Sequence, residues 1–198
     1  MATRTELRLS LAAAAAARKS TDPTRRKCFI SYHAVDADEV ERFLNSYGHV
    51  FIARVIGVTD EDDFIDSEDN NYVFDRIRDK YLLDSTVTIV LVGKCTWARR
   101  YVDWEVYSSL RQDKNNRRNG LLAITLKSAA KYSGKKLPPR VDDNVARSPS
   151  VGYARWKQYP TSSASLRAWI NDAYIARTAR QALIVNTRAR KKYNSKCP

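Results

Sequence analysis

Residues Asp84 to Leu110 read DSTVTIVLVGKCTWARRYVDWEVYSSL, and this stretch decides the fold class. Thr86 to Val92 is a continuous apolar, β-branched run closed by Gly93, the pattern of a strand buried on both faces of a parallel sheet. A helix is expected next, with Thr96 as a usable N-cap and Val102, Val106, Ser109 and Leu110 stacked on one inward stripe. Glu105 falls at the margin of that stripe. At about 100° per residue, Tyr101 and Trp104 share an outer flank, so the carboxylate sits beside aromatic surface rather than among charges. Strand, glycine turn and helix start together put Glu105 near the carboxyl edge of the sheet, where open α/β folds bind ligands. It is the candidate catalytic residue.

The same rhythm extends to both sides. KCFISY, residues 27–32, reads as a first buried strand ending in Ser31, Tyr32 and His33. Asp36 or Asp38 can cap a helix with Val40, Phe43 and Leu44 inward, stopped by Gly48. VFIARVIGV, residues 50–58, is the second strand. Thr59 to Asn71 then holds seven acidic residues, an acidic loop expected to hang over the same sheet edge as Glu105. From Tyr72, the positions Val73, Ile77, Tyr81 and Leu82 take helical spacing before the third strand. Leu121 to Leu126 is a fourth strand, and a short fifth is expected around Tyr153 to Trp156. Thr161 or Ser162 can cap a last helix with Leu166, Trp169, Ile170, Ala173 and Tyr174 inward. The order predicts a three-layer α/β sandwich around a mainly parallel sheet of four to five strands.

The chain has 198 residues and a formal charge of +13, but the charge is unevenly placed. Residues 1–27 carry seven basic and two acidic side chains, and residues 176–198 carry seven basic and none acidic, leaving +1 between them. The basicity therefore belongs to the tails, and nucleic-acid binding is not the expected main function. One domain is expected over 27–175, with a basic Ala-rich extension over 1–26 and an untethered basic tail over 176–198. LRLSLAAAAAARKS, residues 7–20, reads as a dispensable helix, or the product of a start codon placed upstream, in preference to a targeting signal. No run is long enough to span a membrane. Cys28, Cys95 and Cys197 have no paired spacing, so neither a disulfide nor a metal site is expected and a reducing cytoplasm fits.

KCFISYHAVDADEV, the acidic second loop, DSTVTIVLVGKCT and VDWEVYSSL occur in the order and spacing of TIR domains, and the chain resembles most the TIR-like subunits of bacterial Thoeris anti-phage systems. The resemblance covers about residues 26–127 well and extends loosely to about 175. It implies a flavodoxin-like fold and cleavage of the nicotinamide–ribose bond of NAD, with NAD as substrate and no cofactor or metal. It further implies a cyclic or modified ADP-ribose signal to a separate effector, a homo-oligomer, a phage-derived trigger, and Glu105 as the catalytic glutamate. Ser31, Tyr32, His33, Asp36, Tyr101 and Trp104 are then the candidate substrate contacts. Many TIR domains carry a Trp-Cys pair four and three residues before this glutamate; here Tyr101 and Val102 stand there.

One carboxylate suffices chemically, because nicotinamide in NAD is already a cationic leaving group and needs no general acid, unlike an ordinary glycoside. Blander readings stand beside this one. His33 at a strand end serves equally as a structural hydrogen-bonder, and tryptophans are mostly packing residues. Asp36, Asp62 and Asp63 resemble a phosphoacceptor cluster, but Gly93 and Lys94 stand where that fold variant needs an aspartate. The main rival is a non-catalytic TIR-like module that uses exposed helix aromatics and the acidic loop as a contact surface.

Overall fold

The computed structural model describes residues 4–55, 82, 84–112, 118–134, 136–145 and 152–197. The end of the expected second strand, the acidic loop with Asp62 and Asp63, and all but Leu82 of the expected helix stripe after it lie outside these residues.

Strand β3, Val87–Val92, is buried at every residue and lies at the centre of the sheet. It pairs with β1 (Lys27–Ser31) on one side and β4 (Gly120–Thr125) on the other. The edges are β2 (Ile52–Val55) and β5 (Arg155–Lys157). The order is β2-β1-β3-β4-β5 and every pairing is parallel, which is the flavodoxin-like arrangement. The sheet has the five strands at the upper end of the expected range.

Among the described residues, six α-helices surround it: α1 (Arg4–Ala17), α2 (Ala37–Tyr47), α3 (Arg100–Ser109), α4 (Lys127–Ala130), α5 (Pro139–Asn144) and α6 (Ser163–Ala179). Alternation along β3 feeds two cores, because successive side chains of a strand point to opposite faces. Ile89 and Leu91 join Phe43, Leu44, Phe51 and Ile170, while Val90 and Val92 join Val102, Val106, Val141 and Tyr153. Leu9 of α1 is fully buried in the first core, and Ala12, Ala13 and Ala16 are buried beside it or near it. The Ala-rich segment is thus a helix whose small side chains let it lie close on α2.

At the start of β4 the last helix comes so near that a Cβ on Gly120 would lie 1.9 Å from the backbone oxygen of Ala173. Only glycine allows that approach. The helix itself begins as expected, with Ser162 Oγ accepting from Ser165 N–H at 3.1 Å.

The expectation of an untethered tail does not hold. After α6 a 3-10 turn, Gln181–Leu183, leads into a strap, residues 184–197, that crosses α3 and α5. Val185 N–H donates to Asn144 Oδ1 at 3.0 Å, and Asn186 Nδ2 donates to the Tyr107 carbonyl at 3.1 Å. Two basic side chains of this C-terminal region have acidic partners: Arg188 meets Asp143, and Arg180, before the strap, meets Asp172. The absence of a disulfide is overturned as well. Cys95 and Cys197 are bonded, with Cα atoms 5.7 Å apart across 102 residues of sequence, so spacing could not reveal the pair. In the chain-entropy model a loop of that size restricts the unfolded chain by about 4.7 kcal/mol.

Replacing Gly120 by alanine is expected to destabilise the protein by about 3 kcal/mol, since the clash is with backbone and cannot be relieved by a rotamer change. Denaturant unfolding checks this; a loss below about 0.5 kcal/mol would mean the helix is not held at this distance.

Candidate active site

Ser31 is the last residue of β1, and its side chain is fully buried where the chain leaves the sheet. β1 and β3 are neighbours whose onward connections pass to opposite faces, the switch point at which doubly wound sheets bind ligands. Across this point, Ser31 Oγ donates to Glu105 Oε2 at 2.6 Å. Glu105 is 5% exposed on the second turn of α3. Burial pushes its carboxyl up to about 8, and the Ser31 hydrogen bond is the influence that opposes this. Among the described residues, no charged side chain contributes to the shift.

The loops after β1 and β3 meet beside this pair. A 3-10 turn, Ala34–Asp36, precedes α2, and the Asp36 carboxyl makes no cap bond to its own helix. Instead it faces the third loop, where Thr96 Oγ1 lies 3.5 Å from Asp36 Oδ2 and accepts from Gly93 N–H at 2.8 Å. A Cβ on Gly93 would sit 2.1 Å from Asp36 Oδ2, so the glycine that ends β3 leaves room for a carboxylate from the first loop. Burial, then the charge of Glu39, raises Asp36 to about 6 against the Thr96 hydrogen bond and the charge of Arg99. Glu39 is tied to α4, accepting from Ser128 N–H at 3.1 Å and from Ser128 Oγ at 2.5 Å.

Thr96 therefore is not the N-cap of α3; it begins a 3-10 turn, Thr96–Ala98, and its hydroxyl serves Gly93. The residue at the cap of α3, Arg99, offers no side-chain bond, and Arg100 N–H donates to Asn194 Oδ1 in the strap at 2.9 Å.

The remaining sequence candidates fall in different places. His33 is 8% exposed and begins the 3-10 turn, its carbonyl accepting from Asp36 N–H at 2.8 Å. Tyr32 is half-buried and packs against the core that contains α1 and α2. Tyr101 and Trp104 share a flank, their rings edge-to-face at 5.6 Å. That flank is not an open surface: Arg100 stacks over both rings, and Trp104 Nε1 donates to the Lys191 carbonyl at 2.8 Å. Sequence reasoning missed a buried ion pair beneath it. Arg140, fully buried, reaches Asp103 at 3.0 Å, and Asp103 Oδ2 also accepts from Lys191 N–H at 2.9 Å. The signal was an aspartate between two aromatics, Tyr101 and Trp104, in a helix interior, but its partners lie 37 and 88 residues away.

Among the described residues no three His, Cys, Asp or Glu side chains form a metal-ligating group. A groove of about 400 Å³ lined by Arg25, Arg26, Arg167, Val50 and Ile170 lies before the amino ends of β1 and β2, away from Glu105. Its arginines are engaged within the chain, for example Arg167 by Asp22 and Arg26 over the Tyr174 ring.

The family model for the TIR-like domain of the Thoeris protein ThsB matches residues 29–131. The chain belongs to this ThsB TIR-like family. The matched range opens within β1, ends just after α4, and contains Ser31, Asp36, Gly93 and Glu105. α1, β5, α6 and the strap lie outside it. No curated protein matches the chain. Among the described residues, no helix is long and apolar enough to cross a membrane.

The Glu105 proton has a consequence for stability. The folded carboxyl holds its proton up to about 8, whereas an ordinary glutamate releases it near 4.5. Between these values the folded state carries the extra proton, so stability falls as pH rises through the window and levels off above it. Glu105→Gln has no such dependence. Its stability relative to wild type is expected to grow by up to about 1.4 kcal/mol per pH unit across the window, as read by denaturant unfolding at several pH values. A difference that does not change with pH would mean that the carboxyl is hydrated.

Proposed function

We propose that this chain is a TIR-type NAD-cleaving enzyme of Thoeris antiviral defence, acting in the cytoplasm. The supporting observation is the buried Ser31–Glu105 pair at the β1/β3 switch point of a ThsB-family domain. A carboxyl held in an apolar setting, oriented by one hydroxyl and, among the described residues, paired with no cation, is costly to the fold and suits a positively charged reacting centre. Nicotinamide attached to ribose supplies that charge. Its approach favours the ionised form of Glu105, because an opposite charge nearby stabilises a carboxylate.

In this reading the bond between the nicotinamide nitrogen and the ribose C1′ breaks, and its electron pair leaves with nicotinamide, which departs neutral. The ribose passes through an oxocarbenium-like state with positive charge spread over C1′ and the ring oxygen. Glu105 accepts hydrogen bonds from the ribose diol and stabilises that charge where water does not screen it. Ser31 fixes the carboxylate's orientation. Water captures C1′ to give ADP-ribose and release a proton, or a nucleophile within the ADP-ribose part captures it to give a cyclic product. Exclusion of water from the pocket decides between them. The product signals to a separate effector, and the enzyme works as a homo-oligomer set off by a phage component. Asp36, the second carboxyl raised by burial, lies on the first-loop side of the site, with His33 three residues before it.

The rival reading, a non-catalytic association module, relied on exposed helix aromatics together with the acidic loop, which lies outside the described residues. Tyr101 and Trp104 are buried, so they do not offer that surface.

Mass spectrometry of nucleotides in cells expressing the chain, with and without phage challenge, tests the proposal. Wild type is expected to deplete NAD or yield a new ADP-ribose species, and Glu105→Gln to lose this by at least about 100-fold. Unchanged pools in infected cells containing folded wild type would sink the enzyme and leave the association module.

With purified protein, kcat/KM is expected to rise with pH up to about 8, following ionisation of Glu105 in the free enzyme. Ser31→Ala removes the hydrogen bond that favours the carboxylate, so its profile should move to higher pH. A shift to lower pH, or none, would remove Ser31 from this role.

A further inference from the structure

The strap lies outside the family match, and NAD cleavage as proposed makes no use of it. Its contacts divide between α5 and the helix that carries Glu105. Asn194 Oδ1 caps Arg100 N–H at 2.9 Å, Ser195 N–H donates to the Ala98 carbonyl at 2.8 Å, and the Lys191 carbonyl accepts from Trp104 Nε1 at 2.8 Å. Lys191 N–H reaches Asp103 Oδ2, the carboxylate that also holds buried Arg140. A helix start leaves its first N–H groups without intrahelical partners. Here one of them is satisfied by a residue 94 positions away, so that cap exists only while the strap is docked.

The latch is the Cys95–Cys197 disulfide, which joins the strap to the loop between β3 and α3. Both cysteines are partly exposed, within reach of a dissolved thiol. Cys28 is fully buried and burial pushes its thiol up, so it does not compete for exchange. Within the strap, Asn186, Ala189 and Lys191 bond to Arg140, Tyr107 and Asp103 through contacts that do not involve the sulfurs. The latch therefore governs the outer part, residues 192–197, which contains the cap.

We propose that Cys95–Cys197 is a reversible thiol–disulfide modification site whose closed form docks Asn194 and Ser195 on the start of α3 and so fixes the helix that holds Glu105 against Ser31. With a dithiol reductant, a thiolate attacks one sulfur, the Cys95–Cys197 bond breaks and a mixed disulfide forms. The second thiolate of the reductant then resolves it. Two electrons and two protons end on Cys95 and Cys197, and the dithiol leaves as a disulfide. The start of α3 loses its cap, and water gains access along the flank beneath the strap. Asn194 is a positioning residue in this scheme. The structural part stands independently; its effect on turnover rests on the NAD-cleaving reading.

Hydrogen exchange on the full chain, oxidised against dithiothreitol-reduced, decides it. Thiol titration of the denatured chain is expected to give one free thiol in the oxidised protein and three after reduction. The amides of Arg100 and Asp103 should exchange roughly 10-fold faster after reduction or in Cys197→Ser, with β3 unchanged. Asn194→Ala should speed exchange at Arg100 with the disulfide intact. Where NAD is turned over, reduction and Asn194→Ala should both lower kcat and move the pH midpoint of kcat/KM downward, because a more hydrated Glu105 ionises more easily. Three thiols in the air-oxidised protein, or equal protection of α3 in both redox states, would overturn the latch. Absence of turnover in both states would fail the NAD-cleaving reading alone, since exchange still reports on the strap.

Discussion

The hydrogen bond between Ser31 and Glu105 is the constraint on which this molecule's site depends. It joins the end of the first strand to the helix after the third, so it can form only if β1 and β3 lie side by side and α3 packs against the face they share. β3 supplies that arrangement through six consecutive buried residues, which feed apolar side chains to both cores. The bond does little for stability by itself, because it is made to a carboxyl that burial has already pushed up to about 8. A solvated glutamine would be easier to fold around. A carboxyl kept at such a cost is a feature of sites rather than of cores.

Two further contacts frame this pair. On one side, Gly93 admits the Asp36 carboxyl against the third loop, so the first and third loops form a single rim. On the other, the strap lies over the flank of α3 formed by Trp104 and its neighbours, with the buried Asp103–Arg140 ion pair beneath it. Buried ion pairs often contribute little net stability, because desolvation offsets attraction, but they tolerate few alternative arrangements. Here the pair fixes where the strap crosses, since Asp103 accepts from Lys191 N–H and Arg140 donates to Asn186 and Ala189. The basic residues that make the chain carry +13 are thus partly engaged by internal acidic partners.

The division between family region and additions is informative. The match over 29–131 holds the sheet centre and the carboxyl edge, while α1, α6 and the strap are the parts that enclose it. α1 closes one core through Leu9, and the strap closes the flank of α3. The Ser31–Glu105 edge thus lies inside the family region, and part of the packing around it comes from outside that region.

Much of this was legible from the sequence alone. The run Thr86 to Val92 announced a strand buried on both faces, Gly93 and the stripe of Val102, Val106 and Leu110 announced a turn and a helix after it, and together they set Glu105 at the carboxyl edge. These signals are local: a strand repeats every two residues and a helix every 3.6, so neighbouring residues carry the information. The shared flank of Tyr101 and Trp104 was legible for the same reason. The cover over that flank was not. The strap, the Cys95–Cys197 bond, the Asp103–Arg140 pair and the transfer of the Thr96 hydroxyl from a cap to Gly93 all join residues distant in sequence or reassign one side chain among competing partners. Sequence periodicity determined the sheet, the helices and the place of the carboxylate; tertiary packing decided its partner, its burial and the segment laid across its helix, because those depend on which distant surfaces meet.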